Sequence, residues 1–284
     1  MAFAKASAKV RFITLFIVLL TLVANKKSLF IFIGMITKSD NTNVKIIIFT
    51  AIIVMCAVVG QKAGAQTLRV VHTSQLYTQQ VLKDSNHYMV ELKSTIPSLI
   101  YDIRYATSNN FTGTKLYQKG NQTFLRLPAA SAIKAVQNEL AKKGYGLKIW
   151  DAYRPYKATQ TMWNLVQDER YVANPAKGSG HNRGLAVDVT IIDLATGQEL
   201  PMGTGYDNFT DTAHHSFKNL SATVIQNRTL LKTTMEGAGF TALPTEWWHY
   251  YWPNDKAYDV MDFSFEQLTQ MNKKIKRKMR RIEK

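Results

Sequence analysis

A histidine and an aspartate stand seven residues apart in the segment Gly178–Asp188, which reads GSGHNRGLAVD. These residues, His181 and Asp188, offer an imidazole and a carboxylate, and catalytic zinc sites use such ligands while leaving one position for water. A third ligand must come from elsewhere in the chain, and Glu246 and His249 in the segment EWWH are the candidates. This pair can supply both a ligand and a base if the chain bends between its members. The four residues together indicate a catalytic metal site.

Each of these pairs also has a purely structural interpretation. Taken by themselves, His181 and Asp188 can be unrelated polar residues, and His249 lies in an aromatic run that suits a core strand with a hydrogen-bonded histidine. The adjacent pair His214–His215 follows two aspartates and is another metal candidate. We rank it lower because it has no neighbouring strand or base, and adjacent side chains on an extended chain point apart.

The residues around Asp188 predict a strand. Residues 185–192 are rich in valine and isoleucine, which favour strands. In such a strand Asp188 shares one face with small neighbours, while the valines point the other way into the core. His181 precedes the strand, and Gly184 lets the chain fold back so that both ligands can meet one ion.

Arg154 stands at a predicted boundary between a strand and a turn. The strand is Leu147–Trp150, and Pro155 disfavours helical geometry for the residue before it. A guanidinium fixed beside a cleft can hold a carboxylate or a developing oxyanion. The alternative is an arginine that serves the structure alone by pairing with Asp151.

Further helices and strands are predicted around these segments. Amphipathic periodicity with proline or glycine at the boundaries predicts helices, and short β-prone or alternating runs predict strands. We expect an α+β fold in which helices pack on a mostly antiparallel sheet that carries the metal on one face. The predicted helices cover residues 129–143 and 156–170, and the predicted strands cover residues 89–92, 98–105, 124–127, 147–150 and 185–192.

Charge is distributed unevenly along the 284 residues, whose formal net charge is +16. Residues 66–272 hold 20 Lys or Arg and 18 Asp or Glu, so the excess lies in residues 1–65 and 273–284. A nearly neutral folded part does not suit nucleic-acid binding, and we expect none. The single cysteine, Cys56, lies in an apolar run, which excludes a disulfide framework and leaves histidine and carboxylate as ligands for zinc.

Apolar runs behind basic residues occupy the first 65 positions. The run Ile46–Val59 follows Lys45 and precedes Ala-Gly-Ala, a pattern typical of a signal peptide cleaved after Ala65. We therefore expect an exported, periplasmic protein. Membrane anchoring by these runs is the alternative, although each is shorter than the ~20 residues that span a bilayer comfortably. The additional run upstream is explained if translation begins at Met35.

Composition also suggests the remaining boundaries. Residues 66–87 read as a linker or short helix, residues 88–265 as the metal-site domain, and residues 266–284 as a basic C-terminal helix. Apolar residues of this tail fall on one side of the helix. A basic amphipathic helix, like the N-terminal segment, can touch anionic lipid headgroups weakly. A solvated helix end is the alternative.

The motifs resemble those of one enzyme family. The pattern SxHxxGxAxD at residues 179–188, followed by EWWH at residues 246–249, is similar to the VanX-type zinc D-alanyl-D-alanine dipeptidases of peptidase family M15. The wider group includes zinc D,D-carboxypeptidases and the Hedgehog signalling fold. The resemblance covers roughly residues 88–260. Three further segments are similar, namely NNFTG at 109–113, YRP at 153–155 and MGT at 202–204.

The resemblance implies one zinc ion per chain, held by His181, Asp188 and His249. It also implies that Glu246 acts as the general base and acid. The chemistry expected of such a site is attack of an activated water on a peptide carbonyl.

The resemblance implies that Arg154 stabilises the tetrahedral oxyanion. It further implies that Asp207 and Ser179 help to hold the free ammonium of the substrate. The spacing between Arg154 and His181 is shorter than the family pattern leads us to expect, and a trimmed loop there would alter the mouth of the site and the choice of substrate.

The expected reaction is therefore zinc-dependent hydrolysis of the small dipeptide D-Ala-D-Ala to two D-alanines. A D,D-carboxypeptidase acting on peptidoglycan stem peptides would use the same ligands and differ in how open the site is. A zinc-stabilised envelope module without turnover is a third interpretation. Loss of the glutamate before the last histidine would mark such a module, and Glu246 is present.

Overall fold

A computed structural model describes residues 68–118, 121–253 and 257–282. The predicted signal peptide, its cleavage point at Ala65 and Cys56 lie outside the described residues. The helices are α1 (Ser74–Lys83), α2 (Leu92–Thr95), α3 (Leu127–Ala141), α4 (Tyr156–Leu165), α5 (Gly180–Arg183), α6 (Ala222–Gly237) and α7 (Phe265–Ile282). The strands are β1 (Val70–Val71), β2 (Met89–Glu91), β3 (Ile100–Tyr101), β4 (Phe124–Arg126), β5 (Tyr145–Asp151), β6 (Ala186–Asp193), β7 (Thr241–Ala242), β8 (His249–Tyr251) and β9 (Val260–Met261).

A five-stranded sheet forms the centre of a mixed α/β fold, with the strand order β3-β5-β6-β8-β7. Strand β6 is antiparallel to both β5 and β8, β7 is antiparallel to β8, and β3 joins β5 in parallel. Two small pairs complete the described sheets: β1 with β9 in parallel, and β2 with β4 antiparallel. The register of β5 on β6 shifts between Ile149 and Asp151, at the end of β5 that leads to Arg154.

Strand β6 has the predicted two faces. Val187, Val189 and Ile191 are fully buried members of the hydrophobic core, and Asp188 lies on the opposite face. Helix α3 packs on β5, and helix α6 packs on α3, β6 and β7. The core therefore holds the strand rigidly and presents the Asp188 face to the site.

One predicted helix and one predicted strand are clearly shorter than the sequence pattern suggested. The helix predicted for residues 156–170 stops at Leu165, because Val166 has an extended backbone (φ −132°, ψ 96°) and the chain runs on as a loop beside the cavity described below. The strand predicted for residues 98–105 is limited to β3. A 3-10 turn at Arg104–Ala106 follows β3 and buries Tyr105.

The segment predicted as a linker or short helix is packed onto the domain. Helix α1 buries Tyr77 and Val81, and the Tyr77 hydroxyl donates a 3.0 Å hydrogen bond to Asn272 Oδ1 of α7. The basic C-terminal helix predicted for residues 266–284 corresponds to α7. None of the helices among the described residues has the length and apolar character needed to cross a membrane.

Candidate metal centre and active site

His181 is presented by the short helix α5. Ser179 and Asn182 form a capping box at its start, and Gly184 ends it in the left-handed region (φ 70°) before β6 begins. The positive φ favours glycine, and a Cβ at Gly184 would lie 2.6 Å from Met89 Cε, so the end of that side chain would have to move. This turn is what the sequence analysis expected of Gly184.

The tautomer of His181 follows from a backbone contact. Its Nδ1 lies 2.6 Å from the carbonyl oxygen of Ala152, which can only accept a hydrogen bond, so Nδ1 carries the proton. The lone pair of Nε2 is therefore free to face the site. A carbonyl behind the ring is a common way in which proteins orient a histidine ligand toward a metal.

Asp188 and His249 are direct neighbours across the antiparallel pair β6 and β8. Cross-strand partners share a face of the sheet, so their side chains meet. His249 Nδ1 lies 2.9 Å from Asp188 Oδ1. His181 Nε2 lies 3.2 Å from His249 Nδ1 and 3.4 Å from Asp188 Oδ2.

These distances test whether the three residues fit a metal ion. Donors bound tetrahedrally at roughly 2.0–2.1 Å lie about 3.3 Å from one another. The two imidazole nitrogens lie 3.2 Å apart, close to that value, while Asp188 approaches His249 Nδ1 through Oδ1 at 2.9 Å and His181 Nε2 through Oδ2 at 3.4 Å. One ligand atom from each residue lies within 4.8 Å of the other two. The Tyr206 hydroxyl donates a 2.8 Å hydrogen bond to Asp188 Oδ2, which helps to fix the orientation of the carboxylate. The cluster of His181, Asp188 and His249 therefore fits one small divalent cation.

A tight turn brings Glu246 beside the cluster. The backbone N–H of His249 donates to the carbonyl oxygen of Glu246 at 3.2 Å, which closes the turn that the sequence analysis required. Glu246 Oε2 consequently lies 3.9 Å from His249 Nδ1. Burial, together with the nearby carboxylates of Asp188 and Asp207, raises the pKa of Glu246 well above its usual range.

Arg154 is buried and held by Asp151. The guanidinium Nε and Nη2 lie 2.9 and 2.8 Å from Asp151 Oδ2, and Nη2 lies 3.9 Å from Asp188 Oδ2. Burial alone would lower the pKa of Arg154, but the carboxylate of Asp151 outweighs it and keeps the side chain charged. The structural ion pair considered as an alternative is thus present, and the same guanidinium also lines the cavity. The two interpretations of Arg154 are compatible.

Asp207 and Ser179 line the same cavity, and a different hydrogen bond holds each side chain. Asp207 is the one non-glycine among the described residues with a positive φ (58°), and the Tyr105 hydroxyl donates to its carboxylate at 2.9 Å. Burial raises the pKa of Asp207 to about 7. Ser179 Oγ accepts the N–H of Asn182, so one of its lone pairs serves the helix cap. Its hydroxyl has less freedom to bind a ligand than the sequence suggested.

The cavity has a volume of about 220 Å³ and collects all seven residues singled out in the sequence. Phe111 and Tyr171 line it, and both pack against Phe209; the Tyr171 and Phe209 rings stack with centroids 4.8 Å apart. The pair His214–His215 neither joins the three-residue cluster nor lines the cavity. Lining residues named in the sequence analysis are Arg154, Ser179, His181, Asp188, Asp207, Glu246 and His249.

Sequence reasoning missed three tyrosines that support the site. Tyr206 holds Asp188, Tyr105 holds Asp207 and lies under the Arg154 guanidinium (5.0 Å to the ring centre), and Tyr117 donates to Asp151 at 3.0 Å. Only Tyr206 could have been noticed in the sequence, because it stands directly between a glycine and Asp207. The other two flank the segment NNFTG at 109–113, but their own residue types gave no indication of a contact with Asp207 or Asp151.

Comparison with known proteins places this geometry in a family. The Peptidase M15 family model, described as D-ala-D-ala dipeptidase, matches residues 85–268, more than half of the chain. The chain belongs to this family. It is therefore a peptidase, and the resemblance drawn from the motifs is confirmed.

Several curated relatives have similar sequences. The D-alanyl-D-alanine dipeptidase of Escherichia coli (strain K12) is 33% identical over 177 residues, which cover 62% of this chain and 91% of that protein. The enzyme of the same name from Enterococcus faecium is 34% identical over 194 residues, covering 61% and 95%. A solved LD-carboxypeptidase is 23% identical with a TM-score of 0.32, covering 47% of this chain and 61% of that one, too distant to support a functional statement.

Proposed function

We propose that this chain hydrolyses the dipeptide D-Ala-D-Ala to two D-alanines with the help of one zinc ion. The observation that carries the proposal is the convergence of two imidazoles, the carboxylates of Asp188, Asp207 and Glu246 and the guanidinium of Arg154 on a single cavity of about 220 Å³. The names of the relatives that the chain matches over more than nine tenths of their length support the choice of substrate.

The metal would be held by His181 Nε2, one carboxylate oxygen of Asp188 and His249 Nδ1. Two neutral imidazoles and a carboxylate are ligands that zinc prefers in catalytic sites. When bound, zinc supplies Lewis acidity that polarises a carbonyl and lowers the pKa of a coordinated water. Burial would raise the pKa of Asp188, but its contacts with the two histidines outweigh it and keep this carboxylate ionised and ready to bind a cation.

Glu246 is the proton carrier in this mechanism. Its carboxylate lies at the edge of the cluster, 3.9 Å from His249 Nδ1, where it reaches the space that an attacking water occupies. It accepts the proton of that water and passes it to the departing amine. The raised pKa of Glu246 makes its ionised carboxylate a stronger proton acceptor than an exposed one, and the charge of a bound metal ion would favour that ionised form.

Arg154 stabilises the oxyanion of the tetrahedral intermediate. Asp151 holds its Nε and Nη2, so the guanidinium does not need to reorganise when negative charge develops on the substrate. Tyr105 supports the flat side of the guanidinium. The arrangement is a preorganised, buried cation at the wall of the cavity.

Asp207 binds the substrate ammonium, and Ser179 contributes a weaker polar contact. The Asp207 carboxylate is buried at the cavity wall, and its strained backbone is of the kind that functional sites maintain. A buried anion recognises a free ammonium but rejects a neutral peptide group in the same place. This favours a dipeptidase over a D,D-carboxypeptidase, whose stem-peptide substrate continues past that point.

Export to the periplasm and the division into residues 1–65, 66–87, 88–265 and 266–284 remain proposals that rest on sequence patterns. N-terminal sequencing of the protein isolated from its cells is the direct test. A mature chain that begins at Gln66 supports export with cleavage after Ala65. A chain that retains residues upstream of 40 contradicts it.

The proposed function is tested by elemental analysis combined with hydrolysis assays on the full chain. We expect one zinc per chain and release of D-alanine from D-Ala-D-Ala, with little activity on L-Ala-L-Ala or on a pentapeptide whose ammonium is blocked. The matched control is Glu246→Gln, which keeps the three ligands. Turnover of the blocked pentapeptide in preference to the dipeptide would establish the carboxypeptidase instead, and zinc binding without turnover of either would establish a binding module.

A further inference from the structure

Helix α7 carries a dense row of cations on its solvent side. Residues 273–281 contain seven Lys or Arg and no Asp or Glu. All seven are exposed. We call them the basic face of α7, and they are Lys273, Lys274, Lys276, Arg277, Lys278, Arg280 and Arg281.

The opposite side of α7 is already used by the fold. With about 100° per residue in an ideal helix, the basic face covers an arc of roughly 200°, and the midpoint of the buried positions lies on the opposite side of the helix. The buried positions include Leu268, Met271 and Ile275, which belong to the hydrophobic core. The apolar side of α7 is therefore not free to insert into a bilayer.

Specific hydrogen bonds fix α7 on the domain. Asn272 accepts from the Tyr77 hydroxyl at 3.0 Å and donates from Nδ2 to the carbonyl oxygen of Met89 at 2.6 Å, while Gln122 Nε2 donates to Thr269 Oγ1 at 3.0 Å. These contacts involve buried or half-buried groups. The basic face is consequently displayed on a rigid support.

Among the described residues, no acidic side chain neutralises the charges of the basic face. Across the described ranges no acidic side chain forms an ion pair with any of the seven residues, and the acid of the same helix, Glu266, precedes them by seven positions. Lys276 instead lies 5.9 Å from the ring centre of Tyr88. These side chains are therefore available to pair with an external anion.

We propose that the basic face of α7 binds the surface of an anionic lipid bilayer without inserting into it. A convex row of flexible lysines and arginines suits a flat, diffusely charged surface, because each side chain can reach a different headgroup. Nucleic-acid surfaces combine cations with aromatic or amide side chains that contact bases. The basic face contains neither type, and the rest of the folded part is nearly neutral.

Residue-resolved lysine acetylation tests this proposal on the full chain, whatever the N-terminal segment contributes to binding. The protein is treated with an acetylating reagent in the presence of phosphatidylglycerol vesicles, phosphatidylcholine vesicles or a short DNA duplex, and each lysine is quantified by mass spectrometry. Exposed lysines elsewhere serve as internal controls, namely Lys93, Lys134 and Lys218.

With phosphatidylglycerol at low salt we expect the four basic-face lysines to react at least about threefold more slowly, and salt of about 0.5 M to restore their reactivity by screening. The control lysines should not change. No protection, or equal protection by phosphatidylcholine, would overturn electrostatic binding to a bilayer. Equal or stronger protection by the DNA duplex at the same salt would overturn the choice of partner.

A pair of matched variants completes the test. The variant K273Q/R277Q/R280Q/R281Q removes four charges from the centre of the basic face, and K93Q/K115Q/K134Q/K218Q removes four exposed charges elsewhere. Only the first variant should lose vesicle protection of the basic-face lysines that it retains. Its affinity for the vesicles should fall at least about tenfold. Both should keep the parent melting temperature within a few degrees. Equal effects of the two variants would show that net charge, and not the basic face, governs binding.

Discussion

Replacing Arg154 with alanine removes two things at once: the cation proposed to stabilise the oxyanion and the partner of the buried carboxylate of Asp151. The two losses have different readouts. The first appears in kcat for D-Ala-D-Ala, and the second appears in the free energy of unfolding. The proposed metal ligands His181, Asp188 and His249 are left in place, so we expect zinc binding to persist.

The structure allows both magnitudes to be worked out. Removing one oxyanion contact costs about 3–4 kcal/mol in the barrier, which corresponds to a fall in kcat of roughly 10²–10³-fold. Removing one member of a buried ion pair lowers the free energy of unfolding by about 3–5 kcal/mol. We expect the lower end of that range, because Asp151 keeps hydrogen bonds from the Tyr117 hydroxyl and from the N–H of Ala152.

A double variant separates catalysis from stability. Asp151→Asn combined with Arg154→Leu removes both charges and retains an oxygen for the bonds from Tyr117 and Ala152. Replacing both members of a buried pair is often nearly neutral, so the double variant should be more stable than Arg154→Ala alone. Its kcat should remain as low, because the oxyanion contact is still missing.

The assays are urea unfolding, zinc content and initial rates of D-alanine release at saturating dipeptide. A folded, zinc-loaded Arg154→Ala variant with the parent kcat would refute the oxyanion role. A double variant less stable than the single one would refute the account of the ion pair. If kcat recovered in the double variant, the loss in the single variant would be due to distortion around the unpaired Asp151.

The other predictions concern the base, a ligand, the ammonium site and the turn after the ligand helix. Glu246→Gln should keep stoichiometric zinc but lose kcat about 10²–10⁴-fold, and a parent-like rate would contradict its role as base. His181→Ala should lose zinc on dialysis while still melting cooperatively; retained stoichiometric zinc would exclude it as a ligand. The pKa of Asp207 is raised to about 7 by burial, so this group is neutral below that pH and charged above it. KM for the dipeptide should therefore rise as pH falls below about 7, up to roughly tenfold per unit, and Asp207→Asn should abolish this dependence. Gly184→Ala should lower stability by about 1–3 kcal/mol and weaken zinc binding, whereas Gly197→Ala, at a similar φ of 71° with open space around it, should show the backbone strain alone.

Seven of the residues that line the cavity could be singled out from sequence because their local patterns are strong. The alternation of small and β-branched residues through β6 predicted which face carries Asp188, and the glycine at 184 predicted the turn that returns His181 to it. What local patterns could not supply was the pairing of β6 with β8, which places Asp188 opposite His249. Partners 61 positions apart are selected by packing of the whole sheet, not by either strand alone.

Long-range packing also explains the errors at element boundaries. Helical periodicity continues past Leu165 in the sequence, yet the chain leaves the helix there and lines the cavity with Tyr171. The pattern at residues 98–105 suggested a continuous strand, but burial of Tyr105 beneath Arg154 requires a 3-10 turn instead. In both places the functional site overrides the local preference, as expected where a cavity must be enclosed.

Three of the carboxylates that line this small cavity, those of Asp188, Glu246 and Asp207, have environments that separate their proposed roles. The contacts of Asp188 with His181 and His249 outweigh its burial and lower its pKa, which suits a permanent ligand. Glu246 has only a 3.9 Å contact with His249 Nδ1, and burial together with Asp188 and Asp207 raises its pKa, which suits its proposed role as the group that exchanges protons. Asp207 lies between them, with a tyrosine hydroxyl opposing its burial, and can be an anion when an ammonium arrives. Because like charges in one buried space disfavour one another, all three can be ionised together only when cations balance them. Arg154 is already paired with Asp151, so the two charges of a metal ion and the one charge of a substrate ammonium would balance these three carboxylates, which supports the proposed substrate with a free amino terminus.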